Sequence, residues 1–132
     1  ARRFAVEMGA LLGLEVVVAD RAGTAVKDVD IVATATDSIQ PVLEGAWLEP
    51  GVHLGSTTQR EIDDETLKRA DVLVVHTRMG GGMDFLPGDL SREELVLLSE
   101  LHAQRPVNWK TVPELSELLV GKTPGRAGEE EK

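Results

Sequence analysis

Residues 25–75, AVKDVDIVATATDSIQPVLEGAWLEPGVHLGSTTQREIDDETLKRADVLVV, decide the fold. Three short apolar runs begin within this stretch, at Asp30–Thr36, Gly51–Thr57 and Asp71–Thr77. Each run is bounded by turn signals or by a helix-like segment, which is typical of parallel strands buried on both faces. The stretch therefore predicts an α/β fold with a mostly parallel sheet and flanking helices.

Small and hydroxylated residues follow the first two of these strands. Thr34-Ala35-Thr36 ends the first strand, and Gly55-Ser56-Thr57 ends the second. Ligands of open parallel sheets bind in the crevice beyond the carboxyl ends of the strands. The sequence therefore predicts a binding site at these two strand ends.

Flanking segments complete the predicted α/β layers. The spacing of apolar residues predicts a helix over Ala1–Leu12 that ends at Gly13. Val42, Leu43, Trp47 and Leu48 are expected to pack a loop against the sheet. The remaining predicted elements are a strand at Glu15–Asp20, a helical turn at Ala25–Val29, a helix at Asp64–Arg69 capped by Asp63, an irregular segment at Met79–Pro87, and two helices that begin at capping boxes, Ser91–Glu94 and Thr111–Glu114, the second ending at Gly121.

Composition excludes several classes of protein. The 132 residues carry a formal net charge of −9, which repels nucleic acid, and no basic stripe offsets it. The chain has no Cys, so disulfides and thiolate sites are excluded. No apolar run approaches the roughly 20 residues that span a bilayer, so we expect neither a membrane-spanning helix nor a signal peptide. We expect a single cytoplasmic domain over residues 1–132, without nucleic-acid or membrane partners.

The order of motifs resembles the nucleotide-binding domain of the ornithine cyclodeaminase/mu-crystallin family. Ala25–Val32 with Thr34–Thr36 is similar to the family's "AV-x-x-ADIV-x-x-x-T" segment. The other matching segments, in the family's order, are Arg2–Ala5, Pro41–Leu43, Trp47-Leu48, Pro50–His53, Arg60–Asp63, Ala70-Asp71, Glu114-Leu115, Leu118, Gly121-Lys122 and Pro124–Arg126. Each motif is weak alone, but their order and spacing together are specific, and they cover nearly the whole chain.

This resemblance implies a Rossmann-like domain that binds NAD or NADP. Family members are homodimers with a separate substrate and dimerisation domain, and they transfer hydride at an amino or imino carbon. Their glycine-rich phosphate loop lies upstream of the segment that matches Ala1, and this chain has no G-x-G-x-x-G. We therefore expect a partial domain, incomplete at its N-terminus, that is inactive alone and whose parent dimerises through a domain absent from this sequence.

The loop after Gly55 departs from the family pattern. Cyclodeaminases carry an Asp in the loop just after the matching glycine, whereas the loop here, Gly55-Ser56-Thr57-Thr58-Gln59-Arg60-Glu61, is shorter and has no Asp. A hydroxyl cannot replace a carboxylate as a base at neutral pH, because its own pKa is far too high without activation. Imine reduction or ligand binding alone tolerates this change more easily than proton abstraction does.

Six residues are the candidate cofactor contacts: Thr34, Ala35, Thr36, Leu54, Gly55 and Ser56. The two threonines could bond the ribose or the nicotinamide amide, or they could simply be β-branched strand residues. Gly55 could let the backbone approach the nicotinamide, or it could only relieve a bend.

Other polar residues carry structural interpretations. His53 is most simply a structural histidine, Glu61 a surface residue and Arg126 an exposed turn residue. No metal site is predicted, and no catalytic residue is identified.

Three functions remain open at this point. The first is part of an NAD(P)-dependent oxidoreductase, such as a cyclodeaminase, amino-acid dehydrogenase or ketimine reductase, acting on an amino acid or cyclic imine. The second is a non-catalytic member of the family that binds a cofactor or small ligand. The third is an α/β domain kept only for assembly. The substrate and the choice between NAD and NADP depend on residues outside this sequence.

Overall fold

The fold is mixed α/β, and the computed structural model describes residues 1–78, 91–93, 96, 100 and 104–131. Two strands and four α-helices have defined bounds, and two short 3₁₀ turns join them. In chain order these are α1 (Arg2–Leu12), α2 (Ala22–Ala25), β1 (Ile31–Thr34), a 3₁₀ turn (Gly45–Trp47), β2 (His53–Ser56), a 3₁₀ turn (Gln59–Glu61), α3 (Asp64–Arg69) and α4 (Leu115–Leu119).

Strands β1 and β2 form a parallel sheet, as the sequence predicts. Both lie inside the predicted strands, and Ile31 pairs with His53 at one end while Thr34 pairs with Ser56 at the other. Only one face of β1 is buried, since Val32 is 6% exposed and Ile31 is 69% exposed. The expectation that these strands are buried on both faces is therefore not met within the described residues.

Two other predicted strands are wrong. Residues 15–20 belong to no strand and Val17 is 76% exposed, because none of the described residues forms a hydrogen-bonded ladder with this segment. Among the described residues, the Asp71–Thr77 segment makes a single parallel bridge, between Val75 and Glu114. An apolar run becomes a strand only where a neighbouring backbone supplies partners, which local composition does not specify.

The helices in the first half lie close to their predicted positions. Helix α1 ends at Gly13, whose φ of 66° places it in the left-handed region. Helix α3 begins after Asp63, whose carboxylate accepts the N–H of Thr66 at 2.8 Å. Helix α2 lies at Ala22–Ala25, slightly before the predicted turn.

In the second half, α4 begins one turn later than predicted. Glu114 is its N-cap, and the Glu117 carboxylate accepts the Glu114 N–H at 2.9 Å. Thr111 instead donates its hydroxyl to the carbonyl of Asn108 at 2.9 Å. Gly121 follows the helix with a φ of 73°, as predicted. Arg92, Glu93, Val96 and Glu100 are helical, whereas most of the helix predicted after Ser91, with its inner leucines, lies outside the described residues, as does Met79–Pro87.

The core is small and comes from one part of the chain. Its buried apolar cluster comprises Val26, Val32, Leu43, Leu48, Val52, Ile62 and Leu67. Leu43 and Leu48 belong to the loop predicted to pack against the sheet, and Trp47 packs on the cluster from its edge. Core formation thus fixes β1, β2 and α3 relative to one another and positions the two strand ends.

Candidate functional site

The carboxyl ends of β1 and β2 lie side by side. Thr34 pairs with Ser56 in register, and Ala33 pairs with Gly55. Beyond the last pair, the Thr57 N–H donates to the Thr34 carbonyl at 3.1 Å and the Thr57 hydroxyl donates to it at 2.7 Å. The structure therefore brings together the two segments that the sequence singles out.

A buried carboxylate, Glu61, joins these strand ends. Its side chain is 0% exposed, and its Oε2 accepts the hydroxyl of Thr34 at 3.0 Å and that of Ser56 at 3.1 Å. The same oxygen accepts the N–H of Thr58 at 3.1 Å, and Oε1 accepts the N–H of Thr36. The prediction that Glu61 is a surface residue is wrong, because four donors from the strand ends surround it.

Main-chain contacts hold Glu61 in place. Its carbonyl accepts the N–H groups of Val42 and Leu43 at 2.8 and 3.0 Å. Leu43 in turn bridges to Ile62 in parallel and is 2% exposed. The carboxylate therefore projects from a backbone fixed by the core.

Hydrogen bonding keeps Glu61 ionised. Burial by itself would raise the pKa of this carboxyl, but hydrogen bonds from Thr36, Thr58 and Thr34 outweigh it and lower the pKa to about 2. A carboxyl with so low a pKa is a poor proton acceptor at neutral pH. Glu61 therefore serves as a charged acceptor within the fold and not as a general base.

Glu61 also changes what Thr34 and Ser56 can offer a ligand. The two hydroxyls lie 2.9 Å apart, and Ser56 is also 2.7 Å from the carbonyl of Thr58. Each hydroxyl has one proton, and acceptors inside the protein already surround both. A ligand at this edge would find acceptor lone pairs and main-chain groups here more readily than free hydroxyl donors.

The remaining candidate positions are open to solvent. Ala35, Thr36 and Gly55 are exposed, and Leu54 is half-buried against the core. A Cβ built on Gly55 would meet no atom within 4 Å. An exposed strand end with free space over a glycine fits the close approach of an elongated cofactor.

An open cleft borders this edge of the sheet. Its volume is about 1060 Å³, and its described lining includes Leu54 and Ser56 but not Thr34, Ala35, Thr36 or Gly55. The six candidate residues thus divide into two that face the cleft and four that lie outside its described wall.

A second buried charge ties a late segment to the site. The Arg105 side chain is 8% exposed and donates to the Asp64 carboxylate at 3.0 Å and to the Gln59 carbonyl at 2.7 Å. Sequence reasoning missed this contact, because no local pattern relates residues 41 positions apart. Glu61 did leave a local signal, since Thr58 and Glu61 have the capping-box spacing that also marks Ser91 and Thr111.

The structural interpretations of other polar residues are mixed in outcome. Arg126 is exposed and donates to the carbonyl of Glu129, in keeping with an exposed turn residue. His53 is exposed in β2, where its N–H donates to the Asp30 carbonyl at 2.8 Å.

Within residues 1–78 and the described parts of 91–131, no group of three His, Cys, Asp or Glu side chains could hold a metal ion. No helix in that same part of the chain is long and apolar enough to cross a membrane.

Known proteins resemble this chain along its whole length. It superposes on the structure of Thermococcus litoralis Delta(1)-pyrroline-2-carboxylate reductase in complex with NADH and L-proline with a TM-score of 0.72 and 28% identity, covering 99% of this chain and 39% of that one. A Rhizobium meliloti (strain 1021) protein named as a putative dehydrogenase is 29% identical over 136 residues, which are 99% of this chain and 38% of that protein.

Shorter stretches match two named reductases. Ketimine reductase mu-crystallin of Rattus norvegicus is 39% identical over 59 residues, 41% of this chain and 18% of that protein. Delta(1)-pyrroline-2-carboxylate reductase of Paracoccus denitrificans (strain Pd 1222) is 39% identical over 72 residues, 47% of this chain and 23% of that protein. The chain thus spans well under half the length of the relatives that it matches.

A family model confirms the resemblance given by the order of motifs. It matches residues 1–132, the full extent of the chain. The segments quoted from Arg2 to Arg126 lie within that match, as do the two strand ends and Glu61. The chain belongs to the ornithine cyclodeaminase/mu-crystallin family.

Proposed function

We propose that this chain is part of an NAD(P)-dependent oxidoreductase that transfers hydride to or from an amino acid or a cyclic imine. The observation that carries the proposal is the superposition of 99% of the chain on a reductase in complex with NADH and L-proline. The relatives named as ketimine and pyrroline-2-carboxylate reductases support the same reaction class. NAD or NADP would supply or accept the hydride, and the parent protein would act on the small-molecule substrate.

The strand ends are the proposed cofactor contacts. Thr34 is the last residue of β1 and is followed by Ala35 and Thr36, whereas Leu54, Gly55 and Ser56 belong to β2. Their pairing in register and the open space above Gly55 support this assignment. Main-chain groups and acceptor oxygens at these positions would orient the cofactor, since internal acceptors surround the hydroxyls of Thr34 and Ser56.

The chemistry of the loop after Gly55 favours reduction over proton abstraction from an amino acid. Its single carboxylate, at Glu61, is buried and hydrogen-bonded, so it cannot reach a substrate. The residues that move protons would then come from parts of the protein outside this sequence. We further propose a cytoplasmic homodimer that assembles through another domain, with no nucleic-acid or membrane partner.

Turnover by the full-length protein tests the proposal. We expect oxidation of NADH or NADPH with cyclic imines, or reduction of NAD or NADP with ornithine, proline or alanine. Replacing Thr36 with the bulky residue Trp should reduce turnover, because the side chain would enter the space over the strand ends. Glu49→Gln, a change at an exposed position away from both strand ends, is the matched control. No cofactor binding and no turnover by the wild-type protein would contradict the proposal.

A non-catalytic binding protein is the second candidate. The absence of an accessible carboxylate from residues 55–61 favours it. In that case the wild-type protein would bind NADH or NADPH, as seen by fluorescence, but would turn over none of the substrates. Turnover that depends on Thr36 would instead establish the enzyme.

A further inference from the structure

The four groups that surround the Glu61 carboxylate are all donors. Two are main-chain N–H groups, of Thr36 and Thr58, and two are the hydroxyls of Thr34 and Ser56. A carboxylate accepts at both oxygens and satisfies such a set, whereas a neutral amide presents one acceptor and one donor. The site is therefore built for a charged acceptor at this position.

These donors come from two separate strands and the loop that follows. Thr34 and Thr36 lie on the β1 side, whereas Ser56 and Thr58 lie on the β2 side. Glu61 thus links the two segments from one fixed point, because its backbone is held by Val42 and Leu43. The linked segments contain the proposed cofactor contacts, Thr34–Thr36 and Leu54–Ser56.

We propose that Glu61 is a positioning residue for the cofactor site, whose carboxylate fixes the carboxyl ends of β1 and β2 relative to one another. This inference rests on the proposed function. Glu61 is fully buried, so it acts through the strand ends and touches neither the cofactor nor the substrate. Losing its charge would leave unsatisfied donors, and the two strand ends would rearrange relative to each other.

Cofactor affinity in the full-length protein tests the inference. The variants are Glu61→Gln, which keeps the length of the side chain but removes its charge, and Thr34→Val, which keeps its shape but removes one donor. NADH binding is measured by fluorescence well below the melting temperature of each variant, and circular dichroism confirms folding. We expect Glu61→Gln to raise the Kd for NADH about tenfold, which is about 1.4 kcal/mol. We expect Thr34→Val to raise it about threefold, and Glu49→Gln to leave it unchanged.

The double variant separates positioning from direct contact. If Thr34 acts through Glu61, the Kd of the double variant will equal that of Glu61→Gln alone. If the Thr34 hydroxyl acts on the cofactor independently of Glu61, the two effects will multiply, and the inference is overturned. A contact through the Thr34 main chain is the same in every variant and does not affect this comparison. It is also overturned if folded Glu61→Gln binds NADH as tightly as wild type while its melting temperature falls, since that result describes a purely structural residue.

Two further outcomes are informative. If Glu61→Gln does not fold, Thr34→Val and Ser56→Ala carry the test, and a wild-type Kd in both overturns the inference. If the wild-type protein binds neither NADH nor NADPH, the proposed function fails and the inference fails with it. A wild-type protein that binds, together with an unaffected Glu61→Gln variant, identifies failure of the inference alone.

Discussion

The carboxylate of Glu61 links the carboxyl ends of β1 and β2 through hydrogen bonds. Four donors converge on it, and it is completely buried. Hydrogen bonds to a charged group contribute about 1.5–3 kcal/mol each, roughly twice the contribution of neutral ones. The hydrogen bonds from Thr36, Thr58 and Thr34 lower the pKa of Glu61 to about 2, so the carboxylate is ionised at neutral pH.

Acid should therefore remove the contribution of Glu61 to stability. The pKa of this group is about 2 in the folded chain against 4.5 for an ordinary glutamate, so its contribution to stability is complete above pH 4.5 and falls as the pH drops toward 2. The shift corresponds to about 3 kcal/mol. We expect Glu61→Gln to lower the free energy of unfolding by about this amount at pH 7, and the gap to wild type to narrow between pH 5 and pH 2.

Urea denaturation at several pH values, followed by circular dichroism, measures this gap. Glu49→Gln removes an exposed carboxylate and serves as the control, and its stability should follow that of wild type across the range. If the free energies of unfolding of wild type and Glu61→Gln differ by the same amount at every pH, the Glu61 charge does not stabilise the fold.

A substitution at Gly55 should affect cofactor binding without affecting the stability of the fold. A Cβ at this position would meet no protein atom within 4 Å. We expect Gly55→Ala to change the free energy of unfolding by no more than about 0.5 kcal/mol, as for other open surface sites. If a cofactor approaches this strand, the added methyl group should raise the Kd for NADH in the full-length protein. Unchanged affinity in a stable Gly55→Ala variant would remove Gly55 from the proposed site.

At the scale of elements, local sequence patterns correctly predicted those helices and strands whose positions depend on neighbouring residues in the chain. Short apolar runs predicted the positions of β1 and β2, Gly13 predicted the end of α1, and the Asp63 cap predicted the start of α3. The Glu15–Asp20 strand failed because its partner is not specified by its own residues. Asp71–Thr77 failed similarly, since it bridges only at Val75 to a residue 39 positions away.

The candidate site shows the same division. The strand ends at Thr34–Thr36 and Leu54–Ser56 could be predicted from apolar runs that stop in small residues. That Glu61 enters this edge depends on the course of the chain after β2, and only its spacing from Thr58 hinted at it. The Arg105 contact with Asp64 could not be predicted, because it depends on how a distant segment packs.

Gly45 determines how closely the first 3₁₀ turn approaches α3. A Cβ at this position would lie 2.4 Å from the Thr66 nitrogen, and the Gly45 N–H donates to the Asp63 carboxylate at 3.0 Å. Alanine keeps the backbone N–H, but the clash would push the turn away from the start of α3 and weaken this hydrogen bond. We expect Gly45→Ala to lower the free energy of unfolding by about 1–3 kcal/mol, the usual cost of overpacking.

Thermal or urea denaturation of this variant is the measurement. Gly128→Ala is the matched control, because a Cβ there would meet nothing within 4 Å and its φ is not positive. If the two alanine variants have equal free energies of unfolding, the 3₁₀ turn can move away from α3 without loss of stability.

At the scale of the whole molecule, burial is uneven. The core cluster runs from Val26 to Leu67, whereas α1 contains no buried residue. Phe4 is 62% exposed and Leu11 is 73% exposed, although their spacing is that of an amphipathic helix. Most helical stability in proteins comes from packing of such a face against other elements. Because the apolar face of α1 is exposed in this 132-residue chain, tertiary packing contributes little to its stability.

Amide hydrogen exchange of the 132-residue chain should reveal this unevenness. Local opening free energies range from about zero at unpacked segments to the full unfolding free energy in the core. We expect the amides of α1 to exchange with little protection, and those of Val32 and Gly55, whose N–H groups face the paired strand, to exchange most slowly. Phe4→Ser should leave the exchange of the strands unchanged, because the Phe4 ring contributes nothing to the core. Protection in α1 equal to that of β1 and β2 would mean that the helix is stabilised as part of one cooperative unit. Faster exchange in α1 after Phe4→Ser would mean that the Phe4 ring stabilises the helix, which would contradict the view that its apolar face is unpacked.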